Sequence, residues 1–323
     1  MTQVIVVGSF VQDLAFQTAT FPGPGETRIG TFFTGPGGKG FNQAVACRRL
    51  GPAVRFIGAV GSDVFADSVR VFAKNEGLET SFEIVDGLPT GAASIVVNEQ
   101  AENMIVVALG ANERLSEAHV LSNDAHFRSA KIVITQLESS LAASAAALRL
   151  AKNFGALAIL NPAPINGDVT EDLLQLADIL TPNETELAFL LQHFGISPLK
   201  SEVVALSDPE LHDLSRKLSK NTVVITLGAA GAFVSLGEEP RASSAVTPVP
   251  YYRVPPISVQ PIDTTGAGDA FCGGLAAALL EFPNDLAAAV RYANTVAGLS
   301  TQKKGTAPAM PLRCEVERKL TGD

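Results

Sequence analysis

The sequence contains no tryptophan, three tyrosines and three cysteines among 323 residues. Cys47, Cys272 and Cys314 are odd in number, widely spaced and free of any CxxC pairing. That argues against a disulfide framework and for buried free thiols in a reducing, cytoplasmic compartment. Basic residues are in deficit: 24 Lys and Arg against 33 Asp and Glu give a net charge of −9, which disfavours a nucleic-acid partner. A small anion is not excluded, because backbone N–H groups bind one locally whatever the global charge. No apolar stretch reaches the roughly 18 residues needed to span a bilayer, so no membrane partner is expected. Met1–Gly8 has no basic start and reads as a first strand rather than a signal peptide. Internal repeats and low-complexity tracts are also missing.

What is present is apolar material, 46% of residues, with only 18% charged. That composition builds a buried sheet and not a disordered chain. Short β-branched runs (Val4–Val7, Val54–Ile57, Ile132–Ile134, Leu157–Leu160, Ile179–Leu180, Val223–Thr226) alternate with helical segments at Asn42–Leu50, Ser68–Glu76, Leu141–Phe154 and Glu184–Phe194. Gly51, Gly77, Gly155 and Gly195 close these helices. Continuous apolar strands alternating with helices predict an α/β fold: a doubly wound, mostly parallel sheet covered on both faces. Two stretches, Phe10–Gly35 and Gly91–Leu109, show a two-residue period instead, the second with a polar turn at 99–103. They predict a small antiparallel sheet projecting as a lid or dimer surface; edge strands of the main sheet would give the same pattern. Gly237–Pro261 reads as a Pro-rich loop with one strand.

The most informative segment is Asp263-Thr264-Thr265-Gly266-Ala267-Gly268-Asp269-Ala270-Phe271. It follows an extended run, Tyr252–Val259, and precedes the small-residue apolar helix Cys272–Leu280. A strand, a glycine turn and a helix start aim several backbone N–H groups at one point, where the helix dipole favours an anion. A carboxylate at Asp269 would repel a phosphate held there. It makes sense as a base taking a proton from an attacking hydroxyl while the amides hold the transferring phosphoryl. Alternatively, Asp269 caps the helix. A dinucleotide fingerprint is disfavoured, since its third glycine would fall at Phe271, and no GxxxxGK[ST] loop exists.

Together with Gly37-Gly38-Lys39-Gly40-Phe41-Asn42-Gln43-Ala44, this segment makes the chain resemble the ribokinase branch of the PfkB carbohydrate kinases over essentially its whole length. Secondary matches lie at Pro24–Thr27, Gly110–Asn112, Gln136–Glu138, Asn161–Pro164, Thr181–Glu186 and Thr226–Gly231. The resemblance implies one kinase domain, residues 1–323, with lid segments at about 10–35 and 91–109 that often clasp a homodimer. It implies transfer of the ATP γ-phosphoryl to the primary 5-hydroxyl of a pentofuranose such as ribose. By the same resemblance Asp269 is the base, and Gly266, Ala267 and Gly268 form the anion hole. Asp13, Gly38, Lys39, Asn42 and Glu138 contact the sugar. Asn183 and Glu186 organise Mg2+ and the phosphates; Thr226, Gly228, Gly231 and Asn294 surround the nucleotide. Asp263 and Thr265, with backbone from Ser300 and Gly305, match a K+ site. Taken alone, Glu186 reads better as a solvated helix face, and Asn42 equally well as a helix cap.

Two departures bear on the substrate. Val11 stands where ribokinases usually carry Asn two residues before the lid aspartate. A buried amide would discriminate strongly for a sugar hydroxyl, whereas valine tolerates its absence, so 2-deoxyribose is a second candidate. Ala309 stands where relatives often place a hydroxyl or thiol beside the cation, which weakens the K+ expectation. A non-catalytic sugar sensor on this scaffold would be expected to lose the base or the glycines, and both are retained.

Overall fold

The computed structural model describes residues 1–100, 102–196, 203–238 and 250–322. The central part of the predicted loop Gly237–Pro261 and Ala101 of the polar turn lie outside the described residues. The strands, in chain order, are β1 (Val4–Val7), β2 (Val11–Gln17), β3 (Thr31–Gly37), β4 (Val54–Val60), β5 (Glu79–Ile84), β6 (Gly91–Val97) and β7 (Asn103–Ala108). They continue as β8 (Ile132–Thr135), β9 (Leu157–Leu160), β10 (Ile179–Leu180), β11 (Thr222–Thr226), β12 (Ala232–Ser235) and β13 (Tyr251–Val254).

Nine of them form one sheet in the order β13-β12-β11-β10-β9-β8-β1-β4-β5. It is parallel from β11 to β5, and only the β11–β12 and β12–β13 pairs are antiparallel. Alternate residues of each strand enter different cores. Val4, Val6, Ile132 and Ile134 pack under helices Lys39–Arg49, Ala267–Glu281 and Leu286–Ser300. Ile5, Val7, Val133 and Leu160 pack under Leu141–Asn153 and Glu184–His193. Both faces are therefore dry, which is why the strands read as unbroken apolar runs. Phe41 is fully buried and makes edge-on contacts with Phe10 and Phe56, at centroid distances of 5.3 and 5.4 Å. Each buried ring contributes about 1.5–3 kcal/mol and together they fix the helix that carries Lys39, Asn42 and Gln43.

Two helix starts lie upstream of their predicted positions. The helix expected from Asn42 begins at Lys39, with Gly38 at φ 85° as its N-terminal boundary. The one expected from Ser68 begins at Val64, because Asp63 accepts from the N–H groups of Phe65 and Ala66. Both shifts come from a residue whose capping role depends on backbone geometry and not on apolar periodicity.

The second sheet runs β3-β2-β6-β7. It is not wholly antiparallel, as the sequence pattern predicts: β2 and β6 pair in parallel, flanked by antiparallel β3 and β7. The reason is topological. β2 follows β1 and β6 follows β5, two strands running the same way, so their continuations leave the main sheet in one direction. One face of this small sheet is open and apolar, with Phe16, Phe32, Met104 and Val106 exposed.

Candidate active site

The chain crosses from one side of β1 to the other between β5 and β8, the kind of switch point where ligands bind at the C-terminal ends of strands. Ser9 follows β1, Gln136–Glu138 follow β8, Asn161 follows β9, and Thr181–Asn183 follow β10, so their polar side chains collect along one edge.

The late glycine turn closes on this edge. Gly266 adopts φ 78°, in the left-handed region, and bounds helix Ala267–Glu281, whose N-terminus no side chain caps. Gly266, Ala267, Gly268 and Asp269 line a cavity of about 140 Å³ with Lys39, Asn161, Asn183, Glu186 and Thr226. Asp269 is not a helix cap. Its Oδ2 accepts from Asn42 Nδ2 at 2.9 Å and its Oδ1 from Gln43 Nε2 at 3.0 Å. Nor is Asn42 a cap: it lies inside its helix, 3% exposed, and reaches across to the carboxylate.

Lys39 sits in the same pocket. Burial opposes its charge, yet Asp269, Glu138 and Glu186 together hold its ammonium above the usual lysine range, so it stays cationic beside the glycine turn. Glu138 Oε2 accepts from the Ser9 hydroxyl at 2.5 Å and from the Lys39 backbone N–H at 2.8 Å, fixing the start of that helix. Gly38 is a close approach: a Cβ there would lie 2.6 Å from the Val11 nitrogen.

Asp13, on β2, points from the small sheet toward this group. Its Oδ2 accepts from the Thr306 hydroxyl at 2.9 Å. Burial pushes its pKa from 3.8 up to about 6, against the Thr306 hydrogen bond and with help from the charges on Glu138, Asp269 and Asp263. The folded chain therefore keeps the Asp13 proton where an unfolded chain has released it. The stability this gives is complete below pH 3.8 and is lost as pH rises through about 6. Asp13→Asn keeps an acceptor for Thr306 and removes the titration. Its stability relative to the parent should rise by on the order of 1–3 kcal/mol between pH 4 and pH 7, measured by denaturant unfolding at matched pH. A pH-independent difference would contradict this.

A larger cavity, about 640 Å³, shares Asn183, Thr226, Thr264, Ala267 and Gly268 with the small one, so the two are continuous. Gly228, Gly231, Asn294, Pro256, Ile257 and Val259 complete most of its wall. Gly231 has φ 87°, and a side chain there would strike the Val254 carbonyl. Asn294 donates both amide hydrogens to backbone, to Val254 O at 3.2 Å and Pro255 O at 3.0 Å, which leaves its Oδ1 as an acceptor. Asn183 and Glu186 form a reciprocal helix cap, with Asn183 N to Glu186 Oε2 at 2.9 Å and Glu186 N to Asn183 Oδ1 at 2.8 Å. Glu186 is 8% exposed, so the solvated-face reading fails; burial raises its pKa. Asp263 gathers the candidate cation residues. It accepts from Thr265 N at 2.9 Å and Gly305 N at 3.0 Å, and its own N–H donates to the carbonyl of Thr301, next to Ser300. The Thr265 side chain is exposed and that of Ser300 donates to Ala297 O.

Sequence reasoning assigned no role to Gln43, Gln136, Asn161 or Thr306. The first three are buried amides beneath Asp269. A polar residue directly before the apolar helix run Ala44–Cys47, or just past a buried strand, was the available signal.

The doubly wound sheet, the glycine turn and the two joined cavities together define a phosphotransferase acting on a small molecule. The pfkB family carbohydrate kinase model matches residues 1–313, and the chain belongs to that family. Its activity is accordingly ATP-dependent phosphorylation of a carbohydrate. Among curated relatives, ribokinase of Haemophilus influenzae is 38% identical over 96% of this chain and 95% of its own length. Deoxyribokinase of Salmonella typhi is 31% identical over 95% of both. Among solved structures, ribokinase from Giardia lamblia superposes with a TM-score of 0.85 at 30% identity, covering 99% of both chains. Arabidopsis thaliana ribokinase complexed with ribose and ATP gives 0.81 at 28% identity, again over 99% of both.

Proposed function

We propose that the chain phosphorylates the primary 5-hydroxyl of a pentofuranose, ribose first, with ATP as donor and Asp269 as general base. The observation that carries this is the position of Asp269 in the small cavity, beside the Ala267–Gly268 turn that joins it to the large one. A carboxylate that would repel bound phosphate is placed where an acceptor hydroxyl must approach it.

In this reading the nucleotide occupies the large cavity, its base against Pro256, Ile257 and Val259 and its phosphates directed to Gly266–Gly268. The sugar lies between β2 and helix Lys39–Arg49, held by Asp13, Gly38, Lys39, Asn42 and Glu138. Asp269 takes the hydroxyl proton as the oxygen forms its bond to the γ-phosphorus and the bond to the β–γ bridging oxygen breaks, releasing ADP. Lys39 and the first-turn amides offset the charge on the transferring group. Among the described residues no three His, Cys, Asp or Glu side chains cluster as a metal site. One carboxylate with a free oxygen, Glu186 Oε1, suits an ion that keeps most of its waters, and Mg2+ bound there would neutralise phosphate charge. For K+, the fit rests on Asp263, which ties the glycine turn to the Gly305 loop. The small sheet would close over the sugar as a lid, and its open apolar face supports a homodimer through that lid. Cys47 and Cys272 are buried free thiols, which supports a cytoplasmic location. Among the described residues no helix is long and apolar enough to cross a membrane.

A second reading, 2-deoxyribose as substrate, is favoured by Val11. Its side chain is 2% exposed, on the same face of β2 as Asp13, and offers no hydrogen bond to a sugar hydroxyl. Coupled ADP-release assays with ribose, 2-deoxyribose and nucleosides, with and without K+, decide among these. Val11→Asn should raise the ribose to 2-deoxyribose ratio of kcat/KM by about tenfold or more. An unchanged ratio removes Val11 as the determinant, and a parent that phosphorylates no pentose removes the reading itself.

A further inference from the structure

Gln43 lines neither cavity and has no exposed surface, yet it donates to the carboxylate on which the proposed reaction turns. An amide has a donating and an accepting end, so its effect on Asp269 depends on which end faces it. Here the polarity is set from both sides. Gln136 Nε2 donates to Gln43 Oε1 at 2.7 Å, which turns Gln43 Nε2 toward Asp269 Oδ1 at 3.0 Å and Asn161 Oδ1 at 3.2 Å. Asn161 must offer its oxygen, because its Nδ2 donates to the Thr181 carbonyl at 2.9 Å. Reversing Gln43 would set its oxygen against a carboxylate and an amide oxygen, and its NH2 against the NH2 of Gln136. The bonds to Asp269 and Asn161 would be lost in a buried setting, and with Gln136 as placed its bond as well. Gly8 completes the device from the backbone: a side chain there would occupy the space of Gln136 Oε1.

The geometry points to Gln43 as a positioning residue that orients the Asp269 carboxylate, its own amide locked in direction by Gln136. This rests on Asp269 being the base of the reaction proposed above. Asn42 secures Oδ2 from the adjacent helical position, so the two donors together fix the carboxylate plane. Gln43 acts on one oxygen only, and Gln136 acts only through Gln43.

The test uses the full chain and whichever sugar the parent turns over fastest. Gln43→Met has similar volume and no donor. Its kcat should fall about 10–100-fold, with KM for sugar and ATP within about twofold of the parent, as a misaligned base predicts. Gln136→Leu touches neither Asp269 nor a cavity, and should by itself lower kcat about tenfold; the double variant should be no slower than Gln43→Met alone. A purely structural role predicts instead that the two losses multiply, or that KM rises with unchanged kcat. Either result overturns the inference, as does parent-level kcat in Gln43→Met. Unchanged nucleotide affinity verifies folding, and should Gln43→Met not fold, parent-level kcat in Gln136→Leu overturns the inference on its own. Failure of the functional reading is separate, since it shows as a parent that turns over no pentose while phosphorylating another sugar.

Discussion

An Asp269→Asn enzyme is expected to bind nucleotide as the parent does and to turn over about 10²–10⁴ times more slowly, the usual contribution of a positioned base. The substitution changes little in volume and much in chemistry. The amide cannot take the hydroxyl proton. It also meets two donors, Asn42 Nδ2 and Gln43 Nε2, with one acceptor where the carboxylate had two, so one of those bonds must break. The large cavity touches neither Asn42 nor Gln43, and nucleotide affinity should therefore hold. Single-turnover rates at saturating sugar and ATP, paired with nucleotide titration, separate the two quantities. A variant with near-parent turnover would show that Asp269 serves only to hold the helix, and the proposed reaction would lose its base.

How far the sequence reveals this site depends on how local each feature is. β1, β9 and β10 lie where the β-branched runs place them, because strands buried on both faces leave an unambiguous apolar signal. The glycine turn at 266–268 is equally legible, since the left-handed backbone at Gly266 demands glycine. The parallel β2–β6 pairing is not, because nothing in either strand encodes the direction of a partner some 80 residues away. Glu186 reads as solvated from its own helix and proves buried only once Asn183 and Lys39 are placed around it. The amide chain is the extreme case: Gln43 meets Gln136 across 93 positions and Asp269 across 226. Side-chain polarity at such separations is set by the assembled edge of the sheet, and no window of sequence contains it.

Gly268→Ala should separate stability from catalysis more cleanly than any other change at the glycine turn. A Cβ built at Gly268 meets no heavy atom within 4 Å, and the backbone there is ordinary helix. Alanine is the better helix former by about 1 kcal/mol, so the variant should melt at or slightly above the parent temperature. Yet the empty space is the wall common to both cavities, where a phosphoryl group would pass from nucleotide to sugar. A methyl group there displaces the anion from the first-turn amides, and loss of one such donor costs about 10²–10³ in kcat. Gly266→Ala provides the contrast: at φ 78° a side chain strains the backbone itself, so stability and activity should fall together. Calorimetry and steady-state kinetics on the pair decide the matter. If Gly268→Ala were both more stable and fully active, the turn would hold no transferring group, and the phosphoryl path would have to run elsewhere along the sheet edge.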